Sequence, residues 1–297
     1  MFVDSVNHFK SVFSYEIFIE PADQNYQLAR WAKIHGFHRE FYWQSLQAIE
    51  KYCKAALILN GENVKDGNHE IEGLFIRCSK RLGNLVVQRL ERPASFPPEL
   101  WSDEEPERFL RLLYQQGNPN SRYGATSWFN RPCDLVKLDC LVFSLRRCTI
   151  GLDWIVGADF DVDLEIRDFV GQTFAAVLHA KPAYQVRGEF RSVSSPATLS
   201  GENVADALRL WNFQLVSDSS CFARPLPPSM AAIIGPGRNS LLDVLCNVVS
   251  RQHSCMSSNL LLDGVAWMLD AIQLEKRAMK TLKAHVDRLT TQQAGSN

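Results

Sequence analysis

The 297 residues predict a mainly α-helical protein, with a helical first half over about 16–156 and a mixed α+β region over 157–297. Three features point there. Apolar residues recur at helical spacing through most of the first half, the texture changes to short alternating runs past Gly157, and an acidic middle gives way to a basic tail. Hydrophobic residues at 46% and charged residues at 22% match an ordinary folded protein and exclude a disordered or collagen-like chain.

The clearest helical signal runs from about Ala22 to Gly61, split near Gly36 and Phe37. In its second half Tyr42, Leu46, Ile49, Cys53 and Ala56 fall at spacings of three and four, with Gln47, Glu50, Lys51 and Lys54 on another face. Asn60-Gly61 can close that helix in the left-handed region, and a loop then leads to a further periodic stretch, Ile71 to Val86. Pro93, Pro97 and Pro98 mark a loop before a helix near Pro106 to Gln116. Leu135, Leu138, Leu141, Val142, Leu145 and Ile150 predict another over Asp134 to Ile155.

Beyond Gly157, Asp159, Asp161, Asp163 and Glu165 alternate with Phe160, Val162, Leu164 and Ile166, the period-two pattern of a strand with one acidic face. Further strands are expected near Tyr184 to Val193 and Trp211 to Val216. Helices are expected over Leu241 to Val249 and Trp267 to Leu289, the latter with Met268, Ile272, Met279, Leu282, Val286 and Leu289 on one stripe.

Charge and cysteine usage narrow the function. With 32 Lys and Arg against 33 Asp and Glu, bulk basicity offers no nucleic-acid or membrane affinity, so any such site is local. The best basic run is Arg77, Lys80, Arg81, Arg89 and Arg92, the surface through which an interaction module would bind a protein partner. Eight scattered cysteines form no C-x-x-C pair, and no apolar run suits a signal segment or membrane span, so a cytoplasmic setting without membrane contact is expected. The acidic ladder is not an EF-hand, since Leu164 and Val170 stand where Gly and Glu are required. Gly235-Pro236-Gly237 lacks the Lys-Ser/Thr of a P-loop, and His253-Ser254-Cys255 has no partner at metal-ligand or nucleophile spacing. No metal or cofactor is expected.

Asn25-Tyr26-Gln27-Leu28-Ala29-Arg30, followed by Gln47-Ala48-Ile49-Glu50-Lys51-Tyr52-Cys53-Lys54-Ala55-Ala56-Leu57, resembles the helix pair of HEPN domains. The second segment fits that family's Q-A-x-E-K-x-x-K-A-x-L pattern at each defined position. Asn68-His69-Glu70-Ile71 and Ser121-Arg122-Tyr123-Gly124 are similar to later elements of the family, in the expected order. The resemblance implies a bundle of four or five helices, a homodimer, and binding of RNA or nucleotides. Many HEPN proteins are metal-independent ribonucleases of toxin and defence systems, with Arg, four to six residues, then His on the last helix. Here no histidine occurs between Glu70 and Leu178, so the usual dyad is missing.

The leading expectation is therefore an RNA- or nucleotide-binding protein whose ligand meets Gln47, Glu50, Lys51, Lys54, Arg122 and Tyr123, with Arg30 from the neighbouring helix. The alternatives are an endoribonuclease with a displaced site at Arg30 and His35, the one Arg-x4-His on the first helix, and a non-catalytic protein-interaction module.

Overall fold

A computed structural model describes residues 6–65, 69–93, 96–119, 130–159, 162, 164–181, 184–187, 191–193 and 258–294. The fold is mainly helical. Helix α1 spans Val6–Ser14, passes through a π-turn at Tyr15–Ile19, and runs on into α2, Glu20–Ile34. Helices α3, His38–Leu59, α4, Ile71–Leu82, α5, Pro106–Gly117, and α6, Asp134–Arg146, follow. A short α7, Phe174–Ala180, precedes α8, Ser258–Ala271, and α9, Lys276–Ala294.

Helix α3 is the axis of the fold. Its predicted stripe, Tyr42, Leu46, Ile49, Cys53 and Ala56, is buried throughout and packs on α2, α4, α5 and α6. The break before it forms because Gly36 takes φ of 78°, a left-handed conformation that reverses the chain after α2. Close approach holds α5 in place: a Cβ on Gly117 would lie 2.5 Å from the main-chain oxygen of Tyr42.

Three carboxylates, Asp134 and Asp139 buried and Asp23 partly so, tie α2, α3 and α6 together, each accepting from one tyrosine and one arginine. Asp139 of α6 accepts from Tyr26 at 2.6 Å and forms an ion pair with Arg30, both on α2. Asp134 accepts from Tyr42 at 2.6 Å and from Arg131 Nε at 2.8 Å. Asp23 of α2 accepts from Tyr52 of α3 at 2.5 Å and from Arg146 of α6, whose Nε and Nη2 reach its two oxygens at 3.0 and 3.3 Å. Burial, followed by the adjacent carboxylate, pushes all three tyrosines above the ordinary phenol range, so each stays a donor. Burial works against the Arg30 charge, but Asp139 and Tyr26 outweigh it.

A fourth cluster pins the loop before α5. Lys137, whose side chain is 0% exposed, forms an ion pair with Glu104 and donates to the main-chain oxygen of Ser102 at 2.6 Å. Arg131 Nη2 meets Glu104 at 2.8 Å. Burial pushes the Glu104 carboxyl up, yet hydrogen bonds from Arg131 and Lys137 prevail and hold it below the usual carboxylate range.

Several boundaries differ from the sequence expectation. The helix expected to reach Ile155 stops at Arg146, because Asn60 clamps the turn beyond it. Its Nδ2 donates to the oxygens of Cys148 and Ile150 at 3.2 and 3.0 Å, and its Oδ1 accepts from Leu152 N at 2.9 Å. The single helix expected over Trp267 to Leu289 is two. The last carbonyls of α8 are taken from outside, Ala271 O by Val64 N at 3.1 Å and Asp270 O by Asn63 Nδ2 at 2.8 Å, and Met279 is exposed rather than on a common buried stripe.

The acidic ladder is not a strand over its described residues. Asp159 caps a turn by accepting from Ile155 N at 2.6 Å, and Leu164 to Ile166 form a turn. Strand pairing among the described residues is a three-residue antiparallel pair, Gln185–Arg187 with Arg191–Val193, and an isolated bridge from Ile155 to Thr173. The expected elements at Trp211 to Val216 and Leu241 to Val249 lie outside the described residues. The described C-terminal helices share the first half's core, with Val265, Met268 and Leu282 buried in it and Lys10 of α1 over the Trp267 ring at 5.8 Å. Among the described residues no helix is long and apolar enough to cross a membrane.

Three outcomes follow for stability in urea denaturation. Asp139→Ala leaves Arg30 buried without its carboxylate and is expected to cost about 3 to 5 kcal/mol, part of it recovered by adding Arg30→Met; a loss below about 1 kcal/mol would mean the pair is solvated. Gly117→Ala overpacks α5 on α3 and is expected to cost about 1 to 3 kcal/mol. Because the folded Glu104 carboxyl lies below its unfolded value, its contribution is complete above about pH 4.3 and fades as pH falls through the folded value. Glu104→Gln is therefore expected to be less stable than the parent at pH 7, with the gap closing below about pH 4; a gap independent of pH would exclude the ionised carboxylate as its source.

Candidate functional site

The exposed side of the α2–α3 pair carries a half-buried polar strip. Gln44, Gln47, Lys51 and Lys54 succeed one another on α3 at spacings of three, four and three, which keeps them on one face. Asn25 of α2 stands opposite. Its Nδ2 donates to Gln44 Oε1 at 2.5 Å, while its Oδ1 accepts from Lys51 Nζ at 2.9 Å. Lys51 also donates to the side-chain and main-chain oxygens of Gln47 at 3.1 and 3.4 Å. The ammonium therefore sits among neutral amide acceptors.

Its neighbourhood lowers the Lys51 pKa from the usual lysine value, first by burial, with Lys54 adding to the shift and Glu50 opposing it. Next to it in sequence, Glu50 is buried and accepts from Lys54 at 2.7 Å, while His69 at the entry to α4 meets the same carboxylate oxygen through Nδ1 at 2.8 Å. The strip thus combines two amines, three amides, one neutralised carboxylate and an exposed imidazole. These groups can bind phosphate oxygens through the amines and base edges through the amides.

Four expected site residues, Gln47, Glu50, Lys51 and Lys54, are brought together here. Arg30 is placed elsewhere: it lies about 140° round α2 from Asn25 and is buried against Asp139 and Tyr26. His35 is exposed at the end of α2, where its Nδ1 lies 2.9 Å from Trp31 O and its ring stacks on Trp31. Arg30 is thus held in the core, whereas His35 is on the surface. Arg122 and Tyr123 lie outside the described residues, as do Gly235 to Gly237 and His253 to Cys255.

The basic run beyond Arg77 is not one helical face, because α4 ends at Leu82. Its arginines also hold loops: Arg77 pairs with Glu62 at 3.1 Å, Arg81 Nε donates to Asn60 O at 2.6 Å, and Arg92 donates to Phe96 O at 2.5 Å. Asn25 and Gln44 were not anticipated as site residues. Gln44 extends the spacing of Gln47, Lys51 and Lys54 and could have been found; Asn25 depends on the pairing of two helices, which one sequence does not display.

Among the described residues no group of three or more His, Cys, Asp or Glu side chains is placed to hold a metal ion. No family model matches the chain, and no curated protein or solved structure matches it either.

Compact geometry gives a direct check. Lys51→Ala removes the amine bridging Asn25 to Gln47 from a half-exposed position, so it is expected to leave the thermal midpoint within a few degrees of the parent. A large drop would make Lys51 a structural strut of the helix pair.

Proposed function

We propose that the chain is a HEPN-like, RNA- or nucleotide-binding protein that contacts its ligand through the α2–α3 strip, and that it acts as a homodimer. The single supporting observation is the Lys51 ammonium, held at the surface by Asn25 and Gln47 with Lys54 one turn away. Acceptors that are neutral leave the Lys51 charge uncancelled by a direct ion pair, and a phosphate oxygen can replace one amide without stranding the other. The Q-A-x-E-K-x-x-K-A-x-L resemblance falls on this same helix and supports the choice of ligand. A helical bundle agrees with that resemblance, and an α+β region between 157 and 297 remains part of the proposal.

Binding rather than cleavage is the proposed activity, because the nearest Arg-x4-His pair divides between core and surface. Filter binding of an oligoribonucleotide across a salt series tests it. Lys51→Gln is expected to weaken binding and to flatten the dependence of log affinity on log salt by about 0.7, the loss of one phosphate contact on a single strand. An unchanged slope would remove Lys51 from the interface.

A further inference from the structure

At the turn between α2 and α3 the surface changes from amide and amine to bare aromatic. Trp31 and Phe37 are both 52% exposed, beside Leu28 at 50% and Ile34 at 63%. The rings of this patch are already ordered. Trp31 stacks on His35 at 4.6 Å with planes 23° apart, and on Phe37 at 5.2 Å with planes 10° apart. Both contacts have local causes. The i, i+4 spacing sets His35 over Trp31, and the left-handed Gly36 folds Phe37 back towards α2, where its N–H donates to Ala32 O at 2.8 Å. A depression lined by Gly36, Phe37, His38, Arg39 and Glu40 opens beside the column, with Arg39 exposed.

We propose that this His35–Trp31–Phe37 column is a stacking platform for an unpaired base of single-stranded RNA, which deepens the α2–α3 reading and rests on it for the phosphate contacts. Near-parallel rings offer a flat π surface that another planar ring extends, and every base has such a face. Charge agrees: Arg39 flanks the column at one end of the helix pair, and Lys51 lies about 15 to 20 Å further along α3 and about 120° round it, so a strand that stacks at the turn has to wind round the pair for its phosphates to reach the amines. A duplex is the wrong partner. Its bases are covered on both faces by their neighbours, and only an unpaired base can leave the stack for a protein ring.

The test measures tryptophan fluorescence and affinity with an oligouridylate, the duplex of equal length and uridine monophosphate, using the parent, Trp31→Leu, Phe37→Leu and Lys51→Gln. Exposure of Trp31 and Phe37 makes both substitutions tolerable to the fold, which equal thermal midpoints verify. The expected result is quenching by the single strand that Trp31→Leu abolishes, with affinity falling about 5- to 150-fold in Trp31→Leu or Phe37→Leu. Quenching and affinity unchanged in both aromatic variants, with loss only in Lys51→Gln, would overturn the platform and leave the strip. Equal binding of duplex would overturn it too. Self-association of the parent that Trp31→Leu removes, without an effect on RNA, would assign the patch to a second copy and overturn the platform. No binding by any variant or by the parent would end both readings.

Discussion

Each of Asp23, Asp134 and Asp139 joins a tyrosine to an arginine, and between them these three carboxylates connect α2, α3 and α6. Helix α6 shows why the rest of the fold depends on them. Asp134, Lys137, Asp139 and Arg146 are all buried on it, so it has no solvated face on which to place its charges. Each must instead find its partner inside. Buried pairs seldom stabilise more than apolar residues of the same shape would, but a buried charge that loses its partner costs several kcal/mol. A one-residue slip of α6 would rotate it by about 100° and separate these groups from their partners on α2, α3 and the loop before α5 at once. The triads therefore bear on register: another packing of the three helices would leave these charges without their partners.

The same coupling explains what a single sequence displays. The stripe from Tyr42 to Ala56, the break at Gly36 and the start of α5 at Pro106 depend on residues within a turn or two of one another, and periodicity records them. Elements that ended early were ended from far away. Asn60 stops the chain after α6 from some 90 positions upstream, and the loop at Asn63 and Val64 takes the last carbonyls of α8 across more than 200. The π-turn at Tyr15–Ile19 was hidden for a different reason. Glu16 and Glu20 interrupt the apolar pattern there, whereas the backbone carries helix straight through them.

The site divides along the same line. Gln47, Glu50, Lys51 and Lys54 were legible because one helix and its i, i+4 spacing bring them together. Arg30 was not. Its chemistry suits a phosphate, but Tyr26 and Asp139 claim it, and Asp139 is 109 residues away. An arginine read without its distant carboxylate looks like a ligand group; with it, the same arginine is part of the frame. Leu28, Trp31 and Phe37 show the converse, since periodicity records that an apolar residue recurs but not that its face lacks a neighbour.

Frame and surface are therefore two sides of one helix pair. Asp23 to Tyr52 at 2.5 Å and Asn25 to Lys51 at 2.9 Å are successive contacts between α2 and α3, the first facing the core and the second facing out. Further along, the pair closes at Gly36, which sets Phe37 against Trp31. Because the triad fixes the register of α2 on α3, it also fixes the distance from the amide-held lysine to the aromatic column. For the ligand proposed above, side chains already held by these contacts would lower the ordering cost of binding. In the proposed reading such a surface would discriminate by geometry: the span between amine and ring would favour strands that can reach from one to the other, and that span depends on the carboxylates that set the register.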